Sequence, residues 1–158
     1  MKSLDRVLLL LLCSSLLNAQ DNMFYEQHKI NKSYIKSRAI NQSKRGNKNA
    51  TFIKIKNKKE LKEAIKSGKL HKTYKDKGDK NIYIEIKNIH LSKKEAKELD
   101  GVIGSTIKSK GRVKQVISMD KVTIDSDKPI TIGVDAKSTD INSMTSVTTI
   151  KNSQIGGD

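Results

Sequence analysis

Tryptophan is absent, aromatic residues make up only 4% of the chain, and 158 residues include one Cys, one Pro and three His. Each shortage excludes something. With so few aromatics the core must be aliphatic in the main, and the scattered Tyr and Phe offer little on which single-stranded bases could stack. One Cys excludes a disulfide framework and a Cys-type zinc site. His28, His71 and His90 have no partner at helical spacing, which argues against His-based metal or nucleophilic chemistry. With 35% hydrophobic residues there is material for one modest domain, so a large multidomain enzyme is excluded.

What the chain has in excess is lysine. Lys and Arg number 32 against 17 Asp and Glu, a net charge of +15, yet only 4 of the 32 are Arg. AT-rich coding alone yields such a Lys, Asn and Ile bias, so the charge by itself does not identify a partner.

The N-terminus reads as an export signal. Lys2 and Arg6 precede an apolar run from Val7 to Leu17, and Leu17-Asn18-Ala19 ends in a small residue. This run is far shorter than the roughly 20 residues that span a bilayer. Residues 1–19 are therefore predicted to be a signal peptide cleaved after Ala19, leaving a mature chain with no transmembrane span that is secreted, periplasmic or held at the cell surface. Lipid attachment at Cys13 is the alternative, and Leu10-Leu11-Leu12 before it is bulkier than such sites prefer.

The mature chain has two electrically different halves. Residues 20–80 carry 18 basic and 6 acidic residues, whereas 81–158 carry 12 and 10. Residues 20–50 are rich in Asn, Lys, Ser and Gln without a sustained apolar period, and read as a basic, disordered arm. Ile30, Ile35 and Ile40 recur every five residues, a step that advances about 140° beyond a full helical turn and so keeps them off a common face.

Residues 51–158 read as a single β-rich domain. Phe52, Ile53 and Ile55 predict a strand; Asn57 with Glu60 predicts a capped helix with Leu61, Ala64 and Ile65 on one face, stopped at Gly68. Residues 70–80 read as a basic turn region, and Ile82, Ile84 and Ile86 as a half-buried strand. Ser92 and Glu95 form a second capping box ahead of a short helix that stops at Gly101. Short β-branched runs follow at 113–117, 122–124, 130–132 and 147–150.

Self-similarity suggests how they stack. Ser118-Met119-x-x-Val122-Thr123 recurs 25 residues on as Ser143-Met144-x-x-Val147-Thr148, and Ile-Gly pairs stand at Ile103-Gly104, Ile132-Gly133 and Ile155-Gly156. The expected fold is thus mainly β with one or two short helices, a small right-handed β-helix-like β-solenoid with coils of about 25 residues. The alternative is a small antiparallel sheet of the α+β class. Residues 52–86, with a leading strand, Glu60-Leu61-x-x-Ala64-Ile65 and an apolar strand, resemble the opening segment of right-handed parallel β-helix proteins of the pectate-lyase-like type. That resemblance implies a helix capping the first coil; no catalytic residue of the family carries over.

The chemistry search is negative. Asp125-Ser126-Asp127 begins like a calcium loop, but Lys128-Pro129 stands where further oxygen ligands belong, so it reads as a turn. Gly101-Val102-Ile103-Gly104-Ser105-Thr106 lacks the Lys of a phosphate loop and reads as a helix stop and turn. No catalytic, metal or cofactor-binding residues are nominated. A carboxylate pair assembled only by the fold stays open.

Lys54, Lys56, Lys58, Lys59, Lys62, Lys66, Lys69 and Lys72 place a dense positive field on and beside the first helix and are the nominated polyanion-binding residues, for a glycan or lipid head group. Specific nucleic-acid reading is not expected from so few Arg. The first functional expectation is an exported, non-enzymatic surface or extracellular protein acting by attachment, adhesion or self-association through the C-terminal edge of its β-solenoid. A soluble polyanion-binding protein is the second, and a minimal β-helix polysaccharide-active enzyme the third.

Overall fold

The computed structural model describes residues 31–99, 101–136 and 141–156. The expected signal peptide and the arm as far as residue 30 lie outside the described residues. The chain divides into two compact units, residues 1–34 and 35–158. Of the first unit only residues 31–34 are described, and these are helical.

The second unit is built on two all-parallel sheets. One runs β1 (Ala50–Ile55), β3 (Lys80–Leu91), β5 (Gly111–Ile124), β7 (Ile141–Lys151), with β8 (Gln154–Ile155) also on β5. The other runs β2 (His71–Tyr74), β4 (Val102–Ile107), β6 (Thr131–Ala136). From β1 to β7 consecutive strands alternate between sheets, and both contribute to one aliphatic core that includes Ile55, Tyr74, Ile84, Ile103, Ile107 and Ile117. Three helices accompany them among the described residues: α1 at 31–44, α2 (Lys58–Lys66) and α3 (Lys93–Ala96), the last continuing as a 3-10 turn at Lys97–Leu99.

The fold expectation is corrected on several points. Every ladder among the described residues is parallel, so the antiparallel sheet is wrong. The small β-solenoid of 25-residue coils is also overturned. A 25-residue offset would set Val147 beside Val122, but the ladder sets it beside Val116, 31 residues away. Val116 sits in turn beside Tyr83, and both are buried. Register follows the burial of such columns, which a shared Ser-Met pair does not control. Of the Ile-Gly pairs, Ile103-Gly104 and Ile132-Gly133 do lie in register, whereas Ile155 pairs with Ile124. Residues 71–74 and 102–107, expected as turns, are strands. They are short and polar or glycine-containing, and they form because they pair with each other in register.

The arm expectation is corrected from Ile35 onward. Ile35 and Ala39, one helical turn apart, are 2% and 0% exposed and pack against Tyr83 and Val116 on the outer face of the larger sheet. The five-residue isoleucine series hid this i, i+4 pair.

β3 and β5 each turn at a single left-handed residue within the strand, and β7 is followed by one before β8. Asn88, Lys121 and Asn152 have φ of 55°, 55° and 49°, each one step after the registered residues Lys87, Asp120 and Lys151. The extra residue flips the side-chain alternation: Ile82, Ile84 and Ile86 point inward before it, Ile89 and Leu91 after it. Asn adopts this conformation at lower cost than Lys. Lys121→Asn should therefore stabilise the protein by roughly 0.5–1 kcal/mol in urea unfolding.

Candidate functional site

The eight nominated lysines do not act as one surface. Lys54 Nζ lies 3.4 Å from Glu85 Oε1, and Lys58 and Lys62 converge on Glu95 at 3.0 and 3.8 Å. Lys72 donates to the Lys48 carbonyl at 2.8 Å and lies 4.8 Å over the Tyr74 ring. Burial lowers its pKa, with Asp76 opposing. Lys56, Lys59, Lys66 and Lys69 are exposed and have no ion-pair partner among the described residues. Half of the nominated cations are thus already engaged within the fold.

Glu95 shows why. It closes the capping box of α3 through Ser92 and also receives Lys58 of α2. The Lys58 hydrogen bond, then the Ser92 backbone N–H and hydroxyl, hold its pKa at about 2. Because the folded value lies below the ordinary 4.5, this stabilisation is present above about pH 4.5 and is lost as pH falls toward 2. Glu95→Gln should leave a smaller drop in melting temperature between about pH 6 and pH 2.5 than the unmodified protein shows.

Sequence reading missed two buried polar groups. Lys80 is 0% exposed, and its ammonium donates to the carbonyls of Gly78 and Lys110, both at 2.7 Å, tying two stacked turns together. It stands in the inward alternation 80, 82, 84, 86, which was the available signal. On the outer face Tyr83 donates to Glu85 at 2.9 Å. Burial works against the Glu85 charge, but Tyr83, Lys87, Lys54 and Lys36 more than offset it and keep the carboxyl below its ordinary pKa. Burial, joined by that carboxylate, pushes the Tyr83 phenol far up.

A cleft of about 530 Å³ lies beside α3, with Lys93, Lys97 and Lys128 around Asp127 and Ile130. Lys93 already pairs with Asp127 at 2.8 Å. The Asp125-Ser126-Asp127 stretch is a turn closed by the Ser126 hydroxyl on the Lys128 carbonyl. His71 bonds Thr106 and His90 faces Asp125. Among the described residues no three His, Cys, Asp or Glu cluster to hold a metal, and no helix is long and apolar enough to cross a membrane.

The most distinctive surface is the β7 edge. Among the described residues β7 pairs only with β5, and β6 only with β4 in its sheet. Along β7, Met144 and Ile150 stand in register with Val113 and Met119, which are buried in the core. They therefore continue the inward columns, yet they are 51% and 46% exposed. Ile132 and Val134 of β6 and Ile141 are half-buried against the same core. At the opposite end α2 lays Leu61 and Ala64 onto the core after β1. One end of the stacked sheets is closed by a helix and the other, among the described residues, presents backbone donors and acceptors above an apolar layer.

No protein-family model, curated protein or solved structure matches this chain. The functional reading rests on its own geometry.

Proposed function

We propose that this is an exported, non-enzymatic protein that works by attachment or assembly at the envelope or outside the cell, through the β7 edge. The observation that carries this reading is the exposure of Met144 and Ile150 on the inward face of an edge strand. An edge of that kind is a template for strand addition. Soluble proteins protect such edges with Pro, inward charges or short strands. β7 has 11 residues, INSMTSVTTIK, with no Pro and Lys151 as its sole charge.

The polyanion reading keeps Lys56, Lys59, Lys66 and Lys69 and is the second candidate. Export is supported by the leader-like residues 1–19.

Retention on envelopes of the cells that make the protein tests the reading. At ~1 M salt, where charge is screened over about 3 Å, the unmodified protein should stay bound and the double variant Met144→Lys, Ile150→Lys should wash off. Equal retention of both would contradict an edge-mediated role.

A further inference from the structure

We propose that the partner of this edge is a second copy of the same chain, docked end to end about a two-fold axis with β7 antiparallel to β7. The inference rests on the edge reading above and names its occupant: on envelopes of the cells that make the protein, β7 exchanges onto copies of this chain already displayed there.

Charge and closure select this arrangement. Residues 35–80 carry 16 basic and 4 acidic residues, while 81–158 carry 12 and 10. Joining the nearly neutral ends keeps the two strongly basic ends apart, so the pair avoids the repulsion that a net +15 chain otherwise imposes on its own copy. Head-to-tail stacking would instead bring β7 against the end where α2 covers the core, and there is no matching open layer to receive it. A closed two-fold pair is what remains, and it needs no further edge to stop growth.

The symmetry fixes the geometry. A two-fold normal to the sheet reverses strand direction, so β7 meets its copy antiparallel and both inward faces stay on one side of the ladder. A register centred on Val147 puts Met144 opposite Ile150 of the partner, and Ser146 opposite Thr148. Both exposed apolar side chains are then covered by cross-strand pairs, and polar side chains meet polar ones. Shifting the centre by one residue loses the pairing of Met144 with Ile150. The half-buried Ile132 and Val134 of β6 lie beside the same layer and extend it to the second sheet.

The test uses the full chain with Cys13→Ser, so that introduced thiols are the only ones. Light scattering at ~1 M salt should give twice the chain mass. Met144→Lys with Ile150→Lys should give a single-chain mass and still unfold cooperatively, at a midpoint lower only by the concentration-dependent stabilisation that docking supplies, because both side chains are about half exposed in the single chain. Val147→Cys should form a disulfide-linked dimer under mild oxidation, while Thr145→Cys, about four residues from its own copy, should not. A single-chain mass for the unmodified protein overturns the inference. If such a monomer is nevertheless retained on envelopes through Met144 and Ile150, the edge has a different partner and only the self-association is wrong. If retention is also indifferent to those residues, the edge reading fails with it. A dimer that cross-links at Thr145 and not at Val147 overturns the two-fold register.

Discussion

Replacing Gly104 with Ala should cost about 4 kcal/mol, whereas Gly133→Ala should cost about 1–2 kcal/mol. The two glycines share a backbone problem: φ is 150° at Gly104 and 152° at Gly133, a region that L side chains rarely enter. They are also partners in the β4–β6 ladder. They differ in what a methyl group would meet. At Gly104 an added Cβ lands on the carbonyl oxygen of Gly133, while at Gly133 it finds open space. Backbone strain thus acts at both positions and collision at one. Set against a total stability of about 5–15 kcal/mol, the Gly104 change brings the domain close to unfolding. Urea unfolding followed by circular dichroism measures the difference; equal costs would mean that β4 and β6 do not lie against each other in the described register.

Ile35→Ala should cost about 3 kcal/mol and Ile40→Ala about 1 or less. Ile35 is buried with Ala39 against Tyr83 and Val116, and Phe52 and Val147 flank that cluster. Removing its side chain leaves a cavity where the helix meets the sheet. Ile40 is half-buried and outside both apolar clusters. Lys36 contributes alongside, its ammonium 5.4 Å above the Tyr83 ring. If both substitutions were silent, residues 35–44 would be the dispensable arm that their composition suggests.

Local signals in the sequence were reliable where one short-range cause dominates. Asn57 caps α2 by accepting from the Glu60 N–H, Ser92 and Glu95 form the second capping box, and Gly101 takes the left-handed stop at φ 71°. Alternation at Ile82, Ile84 and Ile86 marked part of β3. What could not be read was set by partners distant in sequence. His71–Tyr74 has no apolar alternation, and its strand character comes from lying alongside Gly104–Ile107. Val113–Ile117 and Val122–Ile124 looked like two strands because the left-handed residue Lys121 interrupts the pattern inside one. The candidate edge was legible as a β-branched run at 147–150. That Met144 and Ile150 face inward, and stay uncovered, follows only from the register with Val113 and Met119. The lysine field was legible as composition, but its partial neutralisation by Glu85 and Glu95 depends on contacts across 31 to 37 residues of chain.

The salt dependence of envelope binding tests the central claim most directly, measured for the unmodified protein, for Met144→Lys with Ile150→Lys, and for a variant with Lys56, Lys59, Lys66 and Lys69 all changed to Gln. An edge-mediated contact predicts little change between ~0.1 and ~1 M salt, near-complete loss in the Met144 and Ile150 variant, and little loss in the lysine variant. Binding that collapses at high salt, vanishes with the four lysines and ignores Met144 and Ile150 would contradict it and assign the protein to polyanions instead.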